Sequence, residues 1–294
     1  MQLGRAQAAV LMVAVTLMWS IAGVVTRQLD AARSFEVTFW RSAFTALSLM
    51  VILPLWKGPG VWRAFPWRSP YFWASGLCWS VMFTAFMVAM TLTQVANVLI
   101  TLSLGPLLTA LLTWGVLRQA LPVRTWLAIV LAGAGMAWMF GHQMQLGEPD
   151  TVMGFMVALC VPMAGAVQWT LLQSSRQSGP SIDMVPSVWL GSVISSVLTG
   201  ALSWPLQASP HDMAWLALLG VFQLAIPCVL SVVVAGVLKA PEVSLLALLE
   251  ILFGIVWAWL WAQEVPETPV WTGGAVVLLA LIMNETLGRR ATRD

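Results

Sequence analysis

The sequence has 294 residues, of which 60% are hydrophobic and only 9% are charged, and its formal net charge is +2. A soluble domain has roughly 45–50% apolar and about 25% charged residues, so this composition excludes an ordinary water-soluble protein. The small net charge, without a basic stripe that alternates with aromatic residues, argues against nucleic acid as a partner.

Ten apolar segments follow one another along the chain, separated by short stretches that contain Pro, Gly and charged residues. A helix needs about 20 apolar residues to cross a hydrocarbon core of about 30 Å. The predicted fold class is therefore an all-α membrane protein with ten transmembrane helices. We expect them at residues 6–26, 35–56, 70–91, 95–117, 123–141, 151–173, 184–204, 213–237, 242–262 and 269–287.

The positions of Lys and Arg predict the orientation, because cytoplasmic loops retain basic residues. With the N-terminus inside, all 14 lysines and arginines fall on the inner side except Arg27, Arg33 and Arg41, which lie in or beside the first outer connection. Both termini are therefore expected in the cytoplasm.

The two halves of the chain are similar to each other. A shift of 145 residues brings Trp114 onto Trp259 and Trp126 onto Trp271, and it carries the first five predicted helices onto the second five. Because five is an odd number, the second unit enters the membrane upside down relative to the first. We predict two inverted five-helix repeats, residues 1–145 and 146–294, as in many secondary transporters.

Several short motifs follow one another in a characteristic order along the two units. They are Leu17-Met18-Trp19-Ser20, Phe39-Trp40-Arg41, Ala96-Asn97-Val98-Leu99-Ile100, Gly105-Pro106, Gly133 with Gly135, Val243 to Glu250, Ala262-Gln263-Glu264 and Gly273-Gly274. Together they resemble the EamA-like permeases of the drug/metabolite transporter superfamily. Two positions depart from that pattern: Gln119 stands where the family has Glu, and Ile251 follows Glu250 where the family has Pro.

The resemblance implies a multi-pass protein of the bacterial inner membrane that carries a small-molecule substrate by alternating access, with export as the direction. It also implies a central site lined by the predicted helices 1, 3, 4, 6, 8 and 9. The expected partners are the substrate, the lipid bilayer and, as a hypothesis, protons, and the chain is expected as a monomer or weak homodimer.

Glu250 is the deepest carboxylate in the sequence. It lies eight residues after Glu242, or about 12 Å along a helix, near the middle of the predicted ninth span. Ionisable groups at that depth face a cavity or a partner. Glu250 is therefore a candidate proton carrier or counter-charge for a substrate amine, and the alternative is a neutral packing acid.

Other polar and aromatic residues are candidates for the substrate site. Gln223 precedes Pro227 by four residues, and this proline leaves the Gln223 carbonyl without its helical partner. Trp19 and Ser20 occupy a place in the first repeat comparable to that of Gln168 and Trp169 in the second. Indole, amide and hydroxyl groups suit an amphipathic or aromatic solute, although the tryptophans could equally serve packing.

Arg41 and Asn97 are gate candidates near the predicted outer ends of helices 2 and 4. For Arg41 the alternative is an outer salt-bridge cluster with Glu36, in which the guanidinium extends outward. For Asn97 the alternative is a helix cap.

Three classes of function remain open at this point. A secondary transporter of amino acids, amines or aromatic compounds is the leading hypothesis, and no Walker motif indicates ATP as its energy source. An intramembrane enzyme would leave Glu250 without a catalytic partner. A scaffold or receptor would have a packed interior without a polar cavity at Glu250 or Gln223. Cys78, Cys160 and Cys228 lie in apolar runs without metal-binding spacing, so we expect buried thiols, no metal and no cofactor.

Overall fold

A computed structural model of the chain describes residues 3–26, 28–32, 34–93, 95–141, 149–177, 182–262 and 268–290. Within these ranges all regular structure is helical. The α-helices are α1 (Arg5–Trp19), α2 (Ala22–Thr26), α3 (Ser34–Lys57), α4 (Pro70–Leu92), α5 (Val95–Leu102), α6 (Gly105–Leu117), α7 (Val123–Phe140), α8 (Pro149–Gln177), α9 (Pro186–Leu202), α10 (Pro210–Leu218), α11 (Ile226–Ala235), α12 (Ala240–Ala247), α13 (Leu249–Ala262) and α14 (Thr268–Arg290). A π-helical segment, Leu219–Ala225, joins α10 to α11.

Within the described ranges, seven helical stretches are long and apolar enough to cross a membrane. They are Arg5–Thr26, Phe35–Lys57, Pro70–Leu92, Val98–Leu117, Val152–Gln177, Pro210–Ala235 and Ala240–Trp261. Three shorter apolar helices, Val123–Met139, Pro186–Leu202 and Thr268–Asn284, lie where the sequence predicts the fifth, seventh and tenth spans. The all-helical fold with several candidate membrane spans is thus confirmed, whereas the arrangement as ten crossings in two inverted repeats stays a prediction.

The outer surface of the described helices is rich in large apolar side chains. Val51, Val130 and Leu279 are all well exposed, as are many other aliphatic residues on α3, α7 and α14. A water-soluble monomer rarely exposes so much contiguous apolar surface. Contact with lipid acyl chains explains this surface.

The ends of several helices have local causes that the sequence indicates. Gly58 adopts φ +91°, a conformation that favours glycine, and it ends α3 directly after Lys57. At the start of α10 the Ser209 hydroxyl accepts a hydrogen bond from the Asp212 N–H at 3.1 Å, and Pro210 occupies the first turn.

Four of the helices predicted as continuous are interrupted within their lengths. The breaks lie between α1 and α2, between α5 and α6 at Ser103 and Leu104, at the π-helical segment, and between α12 and α13 at Leu248. Pro106 and Pro227, each in the first turn of the helix after a break, explain two of them. At the first break the Ser20 hydroxyl donates to the Leu17 carbonyl at 2.7 Å. The break at Leu248 occurs although Ile251 replaces the family's proline.

Close backbone contact joins α7 to α14, the predicted fifth helix of each half. A Cβ atom at Gly135 would lie 2.8 Å from the Gly273 carbonyl oxygen, and one at Gly273 would lie 2.5 Å from the Gly135 carbonyl oxygen. Small residues permit such an approach between membrane helices. One expectation from the sequence is wrong here: Cys160 is exposed on α8, whereas Cys78 and Cys228 are buried, because the apolar run that holds Cys160 also supplies the outer face of α8.

Gly135→Ala is expected to lower the apparent melting temperature of the detergent-purified protein, because the new methyl group would also lie 2.9 Å from the Val277 side chain. Overpacking of this kind costs about 1–3 kcal/mol. Gly133→Ala on the same helix is the matched control, since its Cβ meets no atom within 4 Å. Equal melting temperatures for the two variants would contradict the α7–α14 contact.

Candidate functional site

The helix breaks surround a cavity of about 140 Å³ in the interior of the described structure. Residues of α1, α3, α4, α5, α6, α8, the π-helical segment, α11, α12 and α13 line it. These helices include every one that the family resemblance implies for a central site, and α3 is an addition. Engineered apolar cavities of about 150 Å³ bind benzene, so the cavity as it stands suits a small organic solute.

One wall of the cavity is aromatic. It is formed by Trp19, Trp79, Phe83, Phe86 and Trp169. The Trp79 ring centroid lies 5.6 Å from that of Phe83 and 5.9 Å from that of Trp169, and the two indoles are nearly perpendicular at 89°. Edge-to-face rings form a rigid apolar surface.

The three aromatic residues that α4 contributes were not singled out from the sequence. Trp79, Phe83 and Phe86 are spaced by four and three residues, which places them on one face of the helix. That spacing was the available signal, but in so apolar a chain it does not distinguish a cavity wall from a lipid-facing stripe.

Glu250 lies on the cavity wall at the second position of α13, directly after the break at Leu248. Its side chain is half-buried. Among the described residues, no hydrogen-bond donor contacts its carboxylate and no basic nitrogen lies within 4.0 Å of it. The carboxylate therefore faces the cavity with its acceptor sites available.

Arg41 lies on the same cavity, and only 2% of its surface is exposed. Its Nη1 donates to the Met87 sulfur at 3.1 Å, and its buried Nε has no partner among the described residues. The alternative for Arg41, a guanidinium that extends outward into a salt-bridge cluster, is therefore wrong, and its role as a gate stays a prediction. Glu36 instead accepts backbone N–H groups, as described below, which leaves the guanidinium free to point inward.

Gly220 in the π-helical segment allows this part of the chain to lie against α3 at Arg41. A Cβ atom at Gly220 would be 2.9 Å from the Arg41 carbonyl oxygen. The Thr45 hydroxyl shares its one hydrogen between two carbonyl oxygens, that of Arg41 at 2.8 Å and that of Gly220 at 2.9 Å. These contacts fix the position of the arginine backbone.

Gln223 joins the π-helical segment to the first helix break. Its Nε2 donates to the Trp19 carbonyl oxygen at 3.3 Å, whereas its buried Oε1 has no partner among the described residues. The indole N–H of Trp79, also on the cavity, is likewise buried and without a partner there. Because buried polar groups are normally paired, these atoms indicate a place where a bound polar molecule would complete the hydrogen bonding.

The structure brings together five of the eight candidates named from the sequence: Glu250, Gln223, Trp19, Trp169 and Arg41 all line the cavity. The remaining three candidates lie elsewhere. The Ser20 hydroxyl accepts a hydrogen bond from the Trp257 indole at 3.0 Å and is not on the cavity wall. Gln168 is fully buried beside the cavity rather than on its wall, and the side chain of Asn97 lies outside the described part of the structure.

Two buried carboxylates close one face of the molecule, and we call them the carboxylate latches. Glu36 at the start of α3 accepts the N–H groups of Gln207 and Ala208, both at 2.8 Å. Asp212 in the first turn of α10 accepts those of Asp30 at 2.8 Å, Ala31 at 3.1 Å and Ala32 at 3.2 Å. Each latch ties the segment that precedes one helix to the first turn of another.

The opposite face, which holds the start of α1, is also closed by polar contacts. Arg5 pairs with Glu242 at 2.7 Å, and Lys57 pairs with Asp183. The Gln173 side chain accepts from the Ala240 N–H at 2.7 Å and donates to Gln119 at 2.7 Å. The cavity therefore lies between two faces of the molecule, and hydrogen bonds or ion pairs join the helix ends at each face.

Glu36→Gln is expected to speed hydrogen–deuterium exchange at the Gln207 and Ala208 amides by roughly tenfold, because a neutral acceptor bonds less strongly than a carboxylate. The Asp30 to Ala32 amides serve as the internal control, and they should respond to Asp212→Asn instead. Peptide-resolved mass spectrometry measures both segments. If Glu36→Gln left exchange at Gln207 and Ala208 unchanged, and Asp212→Asn left it unchanged at Asp30 to Ala32, the hydrogen bonds of the carboxylate latches would be contradicted.

Three comparisons show which known proteins this chain is similar to. The sequence model of the EamA-like transporter family matches residues 6–141. An uncharacterized transporter of Pseudomonas aeruginosa is 27% identical over 129 residues, which are 42% of this chain and 43% of that protein. The match thus spans less than half of the relative's length.

A solved crystal structure of a protein that is 16% identical in sequence has the same fold, with a TM-score of 0.79 over 98% of this chain and 99% of that one. At this identity the likeness concerns the fold alone. The family and relative matches confirm the resemblance that the motifs indicate: residues 6–141 are similar to the EamA-like transporter family.

Proposed function

We propose that this protein is a secondary active transporter that carries small organic metabolites across the bacterial inner membrane by alternating access, with export as its direction. The observation that carries the proposal is the cavity at the helix breaks, where the Glu250 carboxylate lies on the wall and Arg41 Nε and Gln223 Oε1 have no partners among the described residues. A scaffold or receptor would have a packed interior, so the cavity favours transport.

Ten crossings in two inverted units, residues 1–145 and 146–294, with both termini in the cytoplasm, fit this function. The three shorter apolar helices would supply the crossings beyond the seven long ones. The α7–α14 contact, between the last helix of each unit, supports an architecture in which equivalent elements of the two halves meet. Transporters of this plan place the substrate between the repeats.

Alternating access requires each face to open in turn. The carboxylate latches close one face, and the Arg5–Glu242, Lys57–Asp183 and Gln173 contacts close the other. Hydrogen bonds and ion pairs near water contribute little net free energy each. Either set can therefore separate at modest cost while the apolar helix contacts persist.

The lining favours amino acids, amines or aromatic compounds as substrates. The aromatic wall suits an apolar group, and Glu250 suits a cationic one. A nucleotide sugar is far larger than a cavity of about 140 Å³.

Gly165→Leu is expected to abolish substrate counterflow in proteoliposomes while leaving the protein folded. Gly165 lines the cavity, and its Cβ would find room, with the nearest atom 3.8 Å away. The added branch would then occupy the space that a solute needs. The probes are L-leucine, L-phenylalanine, 3-methylbutylamine and phenethylamine, each tested as a radiolabelled solute.

Gly115→Leu is the matched control, because Gly115 is exposed on α6 and nothing lies within 4 Å of its Cβ. It should retain wild-type counterflow. Equal flux for the two variants, with equal melting temperatures, would show that the cavity is not the route. Wild-type protein that carries none of the probes would overturn the proposed function.

Glu250→Gln is expected to remove the response of flux to a pH gradient, because an amide cannot bind and release a proton as a carboxylate does. Counterflow without a gradient should persist for at least one probe. Asp30→Asn is the control, since this carboxylate is 74% exposed at its side chain, away from the cavity. Full gradient-driven flux in Glu250→Gln would end the proposal that this residue couples transport to protons.

A further inference from the structure

A second cleft opens on the face of the molecule that holds the start of α1. Its volume is about 520 Å³, within the range of about 300–1,000 Å³ that small-molecule sites occupy. It shares no lining residue with the cavity at the helix breaks. Three segments meet there: the connection between α6 and α7, the end of α8 and the connection between α11 and α12. We call it the basic cleft, and its polar side chains are Gln119, Gln173, Arg176, Gln177 and Lys239.

The basic cleft holds two positive charges and no carboxylate among its lining residues. The side chains of Arg176 and Lys239 are both exposed to water. No carboxylate in the described part of the chain lies within 4.0 Å of either one. The acid nearest to Lys239 in the sequence, Glu242, accepts the Lys239 backbone N–H at 3.1 Å and pairs with Arg5. The charges of Arg176 and Lys239 therefore remain without a counter-charge.

Arg176 is held in position by neutral acceptors. Its Nη1 donates to the Gly236 carbonyl oxygen, and its Nη2 donates to the Leu238 carbonyl oxygen at 3.2 Å. These bonds use two of the five N–H groups of a guanidinium. The end of α8 thus presents a fixed cation, and its remaining N–H groups are available to a ligand.

The three glutamines of the basic cleft form a hydrogen-bonded chain that ends in a donor. Gln173 Oε1 accepts from the Ala240 N–H at 2.7 Å, and Gln173 Nε2 donates to Gln119 Oε1 at 2.7 Å. Gln119 Nε2 in turn donates to Gln177 Oε1 at 3.1 Å. Each amide oxygen already accepts a bond, whereas Gln177 Nε2 has no acceptor among the described residues. The chain therefore adds an N–H donor beside the two cations.

Two cations and an amide donor favour a doubly charged oxyanion as the ligand. A phosphate monoester carries a charge of about −2 near neutral pH and has three acceptor oxygens. Its charge therefore matches that of the two side chains together. Arg176 offers N–H groups in a planar fork that fits phosphate oxygens, and Lys239 acts as a point charge. A single carboxylate would compensate only one of the two charges.

We propose that the basic cleft binds the phosphate group of a phosphomonoester, with Arg176, Gln177 and Lys239 as the donors. The inference goes beyond the proposed transport function, because this ligand binds outside the cavity at the helix breaks. The same phosphate chemistry is found in soluble phosphomonoesters and in the headgroup of phosphatidic acid. A bound phosphate joins the end of α8 to the connection before α12 and so reinforces the contacts that close this face.

The test measures binding by the ligand-dependent rise in melting temperature of the detergent-purified full chain. Glycerol 3-phosphate is the soluble probe, and dihexanoylphosphatidic acid is the lipid probe. Sodium chloride at equal ionic strength and dihexanoylphosphatidylcholine are their respective controls. We expect at least one phosphomonoester to raise the melting temperature saturably above its control. The probe with the lower Kd identifies the source of the phosphate.

Two variants distinguish the basic cleft from other cationic positions, such as Arg41. Lys239→Gln removes one of the two charges and should raise the Kd of the bound phosphomonoester by roughly tenfold. Gln119→Glu adds a carboxylate to the cleft but keeps the oxygen that accepts from Gln173, so it should fold and weaken binding similarly. Arg63→Gln, at an exposed arginine on the connection before α4, is the matched control and should bind as the wild type does.

Two results would overturn the proposal. One is the absence of a saturable rise with either phosphomonoester in the wild-type protein. The other is wild-type affinity in Lys239→Gln or in Gln119→Glu, because the phosphate would then bind elsewhere on the molecule. Binding to purified protein is measured without transport, so failure of the proposed transport function would not alter either result.

Discussion

The membrane interior offers no water to polar groups, and this constraint governs the structure described here. Every charged or polar atom at that depth needs a partner within the protein or a cavity to face. Most of the deep hydroxyl groups in the described helices meet it by bonding to a carbonyl one turn earlier or to each other, as Ser75 does with Ser187 at 2.7 Å. Arg41 and Glu250 are not fully paired within the protein in this way. Both instead lie on the wall of the cavity.

The helix breaks and the close helix contacts both help to place Arg41 and Glu250 on the wall of the cavity. Interrupted helices place polar side chains and backbone next to the cavity instead of on the outer apolar surface. Gly220 lets the π-helical segment approach α3, which fixes Arg41 opposite α13. The polar contacts at the two faces close the cavity without filling it.

The sequence predicts the helical membrane fold, the positions of most helices and the depth of Glu250, because long apolar runs and isolated deep charges are local signals. It does not predict where a long side chain points. Arg41 illustrates this limit: its position near the predicted outer end of a helix suggested an outward guanidinium, but Glu36 is engaged with backbone amides and Arg41 turns inward. The aromatic wall on α4 was hidden for a different reason, since apolar periodicity does not separate a cavity from lipid.

Gln168 is a second residue for which the sequence does not predict the direction of the side chain. Gln168 is a candidate because its place in the second repeat is comparable to that of Trp19 and Ser20 in the first. In the structure it is fully buried and does not line the cavity, whereas its neighbour Trp169 does. Adjacent residues on a helix point about 100° apart, so a correct segment does not give the correct side chain.

Alternating exposure of the cavity is the central claim of this account, and Cys228 on the cavity wall tests it directly. In a variant with Cys78→Ser and Cys160→Ser, a small membrane-impermeant thiol reagent is added to one side or the other of oriented proteoliposomes. The account predicts modification of Cys228 from both sides, in separate experiments, and protection by a bound solute. Modification from one side alone, or from neither, would contradict it.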